Sequence, residues 1–158
     1  MGTALATVLT IAIEWTGLGH VFQGVNVSDR EDDWENNYRI PDVAVYLQGN
    51  PARACVTHWF GGPDLAFEIV SPNDRCREKL PFYASIRTRE LMIVDRDPWA
   101  LELYQLQGDT FVLIGTSDLA QPTLLASAAL PMSFRLVPGA KRPRIEVDHA
   151  DGVQRWFV

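Results

Sequence analysis

The run Pro63-Asp64-Leu65-Ala66-Phe67-Glu68-Ile69-Val70-Ser71-Pro72 decides how this chain is read. Asp64–Ser71 is a dense apolar strand interrupted by one acid, Glu68, and Pro72 ends it because proline cannot donate to a ladder. A second strand of the same kind lies upstream, where Tyr38–Leu47 carries Ile40-Pro41-Asp42-Val43-Ala44-Val45. A carboxylate inside so apolar a strand is costly unless it is paired, hydrogen-bonded or bound to a cation. Side chains alternate along strands, so Ile40, Asp42 and Ala44 share one face, as do Ala66, Glu68 and Val70. If the two strands are neighbours, the carboxylates converge. At a separation of ~4 Å near a surface they repel by about 4 kcal/mol, which a divalent cation would offset. Oxygen-only ligation suits Mg²⁺ or Mn²⁺ better than zinc. The other reading is a pair of carboxylates each held by backbone or Arg, and spacing alone leaves both open.

Outward from these strands the order is helix, strands, helix, strands. Leu5, Val8, Leu9, Ala12 and Thr16 follow helical spacing, predicting a buried first helix over about Ala4–Thr16 that Gly17 and Gly19 stop. His20–Val27 reads as a strand, and the acid-rich Ser28–Asn37 as a solvated loop. Arg77 to Ser85 reads as a second helix, with Pro81 in its first turn. Leu91–Val94 is a short buried strand, and Leu101–Leu106 with Thr110–Thr116 forms a hairpin around Gln107-Gly108-Asp109. Short strands near Thr123–Ala126 and Pro131–Leu136 precede a less regular tail from about residue 138. The fold class is α/β, a central mixed sheet flanked by a few helices.

The 158 residues suit a single domain spanning 1–158, and no apolar run reaches the ~20 residues of a membrane helix. Net charge is −6, which disfavours holding nucleic acid by electrostatics alone but leaves room for a nucleic-acid enzyme whose acids gather at a metal. Cys55 and Cys76 form no metal or disulfide pattern, so a reducing cytoplasm fits best. Lysine is scarce: only Lys79 and Lys141 stand among fourteen basic residues.

Tyr-Arg-Ile-Pro-Asp-Val-Ala-Val (38–45) resembles the first motif of the Uma2 family, restriction-endonuclease-like proteins of the PD-(D/E)XK nuclease superfamily. Pro-Asp-Leu-Ala-Phe-Glu-Ile-Val-Ser-Pro (63–72) resembles the second. The resemblance continues through Glu-Lys-Leu-Pro-Phe-Tyr (78–83), Arg-Glu-Leu-Met-Ile-Val-Asp (89–95), Leu-Glu-Leu-Tyr (101–104) and Leu-Pro-Met-Ser-Phe (130–134). It implies a restriction-endonuclease-like fold, with Asp42 and Glu68 as metal-binding acids and the Ile69 carbonyl as a further ligand. The superfamily usually has a lysine two residues after the second acid, where this chain has Val70. Uma2-like sequences draw the lysine from the following helix, and Lys79 matches that place. Its ammonium could position the attacking water or a phosphate, or act as base; the alternative is a helix lysine paired with an acid.

A second departure stands beside Val70. The family's longer leader, with an acid-bearing strand before the first helix, has no counterpart here, so Glu14 becomes a substitute candidate and an uncovered edge invites a partner subunit. His20, His58 and His149 lack metal-ligand spacing and read as surface or satisfied buried histidines. Tyr83, one turn beyond Lys79, lines the same face or simply packs, and Ser71 reads as a capping residue. Trp34 and Trp59 are packing residues with base stacking as the alternative. Arg75, Arg77, Arg87 and Arg89 are candidates for a local positive groove. The expectation is Mg²⁺- or Mn²⁺-dependent hydrolysis of nucleic acid, DNA first, by a homodimer whose two sites cut two strands. The rival is a nuclease-fold binding or assembly domain without activity.

Overall fold

The computed structural model describes residues 1–71 and 74–158; the expected stop at Pro72 lies outside them. Six strands form the central sheet: β1 (Gly19–Gln23), β2 (Val43–Leu47), β3 (Leu65–Ile69), β4 (Glu90–Arg96), β5 (Trp99–Gln107) and β6 (Thr110–Asp118). They lie side by side in chain order. β3 and β4 run parallel, and the other neighbours run antiparallel. A parallel pair needs a crossover, and this one carries a 3-10 turn, Cys76–Lys79, and the short helix α2, Leu80–Ser85, across one face of the sheet. Pro81 sits in the first turn of α2, where its missing N–H costs nothing.

Alternation along the strands divides the core in two. Val43, Val45, Leu65, Phe67, Met92 and Val94 face one side. Helix α1 (Gly2–Leu9) buries Leu5, Val8 and Leu9 against them, and its π-helical continuation Thr10–Glu14 adds Ala12 and Ile13. Gly17, at φ +75°, turns the chain from this helix into β1, the stop expected from the sequence. Ala44, Tyr46, Ala66, Leu91 and Ile93 face the other side, under Phe82 and Tyr83 of α2.

Three expectations change in detail. The first helix is α-helical only to Leu9 and then widens to a π turn. The strand expected over His20–Val27 ends at Gln23, and Gly24 at φ +66° redirects the chain into a two-residue strand, Val27–Ser28. Tyr38–Leu47 is likewise two pieces, Tyr38–Arg39 and β2, separated around Pro41.

The tail is more regular than expected. Met132–Val137, Arg144–His149 and Arg155–Phe157 build an antiparallel sheet with Leu125–Ala126. Phe134, Leu136, Ile145 and Val147 close the α1 side of the core, with Phe134 set edge-on to Phe67 at 5.5 Å. Ile145 and Val147 alternate with charged residues in strand fashion, and Arg135 and Arg155 hold the buried Glu146 at 2.8 and 3.2 Å.

Candidate active site

β2 and β3 pair through Val43 with Phe67 and Ala44 with Ala66. Extending that register by one step sets Asp42 opposite Glu68, on the face that α2 covers. The junction is fixed by the backbone: Asp42 N–H donates to the Phe67 carbonyl at 3.0 Å, and Ile69 N–H donates to Asp42 Oδ2 at 2.7 Å. Asp42 and Ile69 are both half-buried, so this end of the pair meets solvent.

Glu68 is only 2% exposed. Lys79 Nζ donates to its Oε2 at 2.6 Å, and the Tyr83 hydroxyl donates to its Oε1 at 2.5 Å. Burial pushes the Glu68 carboxyl above the ordinary glutamate range, Lys79 and Tyr83 pull it back, and the Asp42 charge pushes the same way as burial. Burial alone would lower Lys79, but the Glu68 hydrogen bond and charge, with Asp74 4.0 Å away, outweigh it and raise the ammonium. Tyr83 is raised by burial and by the Glu68 charge, so it stays a neutral donor. Asp42, Glu68, Ile69 and Lys79 therefore meet at one place, the end of β3. Val70 packs into the α2 side of the core, and the amine reaches Glu68 from the 3-10 turn instead.

Other buried carboxylates show what a structural acid looks like in this fold. Glu90 accepts from Ser127 and from the Ala128 and Ala129 amides; Asp64 accepts from Leu47 N–H, Asn50 and Arg89. Backbone or arginine bonding explains those, as it explains one oxygen of Asp42. Glu68 differs, because the side-chain donors on it are an amine and a phenol.

Arg77 was a groove candidate and is instead a clamp. Its guanidinium donates to Glu102 at 2.6 and 3.1 Å and to Asp95 at 3.2 Å, and Tyr104 donates to Glu102 at 2.7 Å. This fastens the turn bearing Lys79 to β4 and β5. Arg75, Arg87 and Arg89 also stand beside acids, Glu78, Asp109 and Asp64, so each of the four arginine candidates has an acidic neighbour. Glu14 belongs to the helix packed on the opposite face of the sheet and lies 3.9 Å from exposed His20. His58 is buried, bonded to the Arg30 carbonyl and stacked on Trp34, while Trp59 stacks on Tyr46. Both indoles are thus used for packing. His149 lies 3.1 Å from Asp151, and the carbonyl of exposed Ser71 accepts from Asp74 N–H.

Tyr83 and Asp74 also reach this site, Tyr83 through Glu68 and Asp74 at 4.0 Å from Lys79 Nζ. The spacing of Lys79 and Tyr83, one helical turn apart, was the available signal for the first. An open cleft of about 730 Å³ adjoins the site, lined by Val70, Ser71, Asp74, Arg96 and Trp99 among others. Arg96 Nε donates to the Val70 carbonyl at 3.1 Å. The donor set offered to a metal is two hard carboxylates beside the Ile69 peptide, which fits Mg²⁺ or Mn²⁺ with water completing the shell. No cluster of three or more His, Cys, Asp or Glu side chains suited to a metal occurs among the described residues.

A mixed sheet with a parallel pair at its centre and helices on both faces defines a restriction-endonuclease-like α/β fold. A solved structure titled "putative nuclease belonging to DUF820", from Anabaena variabilis, has this fold, with TM-score 0.61 and 16% identity over 79% of this chain and 68% of that one. The family described as "Putative restriction endonuclease", Uma2, matches residues 1–138, and the chain belongs to it. No curated protein matches the chain. Among the described residues, no helix is long and apolar enough to cross a membrane.

Proposed function

We propose that the chain is a metal-dependent endonuclease that hydrolyses phosphodiester bonds of DNA. The observation that carries this reading is Glu68, buried yet held by Lys79 and Tyr83 and set opposite Asp42. Asp42 and Glu68 would hold Mg²⁺ or Mn²⁺, with the Ile69 carbonyl as a third protein ligand. Such an ion polarises a phosphate and lowers the pKa of bound water. Lys79 would orient the attacking water or neutralise the phosphate as charge builds on it. Tyr83 keeps Glu68 aimed at the site, and Arg77 keeps the turn of Lys79 in register. Duplex cutting by one site per chain implies a two-fold homodimer. Free thiols at Cys55 and Cys76 accord with a reducing cytoplasm.

The test is cleavage of supercoiled and single-stranded circular DNA with Mg²⁺, Mn²⁺ or EDTA. We expect metal-dependent nicking that falls at least ~100-fold in Glu68→Gln, the scale of losing a main electrostatic group. Cleavage equal to that of the unmodified chain would overturn the assignment. A second reading, a binding or assembly domain without activity, is favoured by one observation: Arg75, Arg77, Arg87 and Arg89 all stand beside acids. Metal binding with no cleavage of any nucleic acid would select it.

A further inference from the structure

Both oxygens of Glu68 are covered, one by Lys79 at 2.6 Å and one by Tyr83 at 2.5 Å. A cation ligated by Glu68 would stand about 2.1 Å from a carboxylate oxygen. An ammonium on that same oxygen would then stand within a few ångströms of the cation, and like-charge repulsion favours moving it away. Tyr83 is fully buried, set edge-on to Phe82 and packed among the core residues beneath α2. Lys79 is free to move: its side chain is 27% exposed on a flexible four-carbon stem, while Arg77 fixes the turn that carries it. The nearest other anion is Asp74, 4.0 Å from Nζ in the present position and itself partly exposed.

We infer that Asp74 is a positioning residue that receives the Lys79 ammonium when a divalent cation takes Glu68. The amine then stands at the mouth of the cleft lined by Asp74, Arg77, Asp95, Arg96 and Asp97. The inference rests on the metal reading of Asp42 and Glu68 and adds to it a second station for the amine and a role for Asp74. Lys79 is thus a competitor of the metal before it is its helper.

Mn²⁺ calorimetry on the full chain tests this across Lys79→Met, Asp74→Asn and the double variant. Lys79→Met is expected to tighten binding about tenfold. Asp74→Asn is expected to weaken it about fivefold when Lys79 is present and less than ~2-fold in the Lys79→Met background, a coupling of the size found between contacting groups. Equal weakening in both backgrounds would make Asp74 a bare charge and overturn the inference. Unchanged or weaker binding in Lys79→Met would overturn it too. Absence of Mn²⁺ binding by the unmodified chain would sink the metal reading itself and the inference with it. With only two lysines in the chain, ¹⁵N-lysine spectra give a readout that needs no variant. Saturating Mg²⁺ should shift one ammonium signal and leave the other in place. Two unmoved signals under conditions where calorimetry shows binding would mean Lys79 stays on Glu68, and the inference fails.

Discussion

Glu68 concentrates the physics of this molecule in one side chain. A buried carboxylate is tolerable only with strong donors, and here a phenol and an ammonium supply them. Tyr83→Phe removes one donor without changing packing, and urea denaturation should show a loss of about 1–3 kcal/mol, since a bond to a buried charged group disappears. No change in midpoint would mean that water or Lys79 takes over. The pH dependence follows from Lys79. Its folded pKa is raised above the ordinary 10.5 by Glu68 and Asp74 acting against burial, so the folded chain holds that proton more tightly than the unfolded one. The ion pair's stabilisation is therefore complete below 10.5 and disappears as pH climbs through the folded value. Denaturation midpoints of the unmodified chain and Lys79→Met should differ at neutral pH and converge above 10.5. A gap that persists at high pH would contradict the pair's role.

At the scale of elements, the 3-10 turn Cys76–Lys79 is the decisive piece, because it sends Lys79 to Glu68 and Arg77 to Asp95 and Glu102. Arg77→Lys keeps a charge but loses the planar fork that grips Glu102 twice. We expect cleavage to drop roughly tenfold while Mn²⁺ affinity stays within about twofold, because misplacing Lys79 by ~1 Å affects chemistry more than ligation. A parallel loss of metal binding would show that the clamp supports β3 instead. The two acids stood out because each interrupts an apolar strand, whereas Lys79 was placed beside them by the family resemblance at residues 78–83, with its rarity in the chain as support. Tyr83 was only half legible, since its hydroxyl matters through a partner fifteen residues away. Arg77 was misjudged because its acids come from β4 and β5, and a run of arginines reads as a patch until those strands are placed beside it.

Across the whole molecule, the mixed sheet and the hairpin at Gly108, whose φ of +63° suits the tight turn between Gln107 and Thr110, were legible, while the strand order came only with the structure. The tail resisted reading because Pro138, Gly139 and Pro143 imitate a loop, while the buried face of Ile145 and Val147 is only two residues deep. Several acids are matched by arginines, Asp64, Asp109 and Glu146 by separate ones and Asp95 with Glu102 by Arg77 together, and the net charge of −6 stands beside these pairs. On the proposed reading, a bound metal and Lys79 would supply the positive charge that meets nucleic acid. The most direct measurement is Mn²⁺ titration calorimetry of the unmodified chain beside the Asp42→Asn, Glu68→Gln double variant. The predicted result is one saturable site per chain that vanishes in the double variant while its melting transition remains. Binding of equal strength in both proteins would contradict a metal held between these two carboxylates.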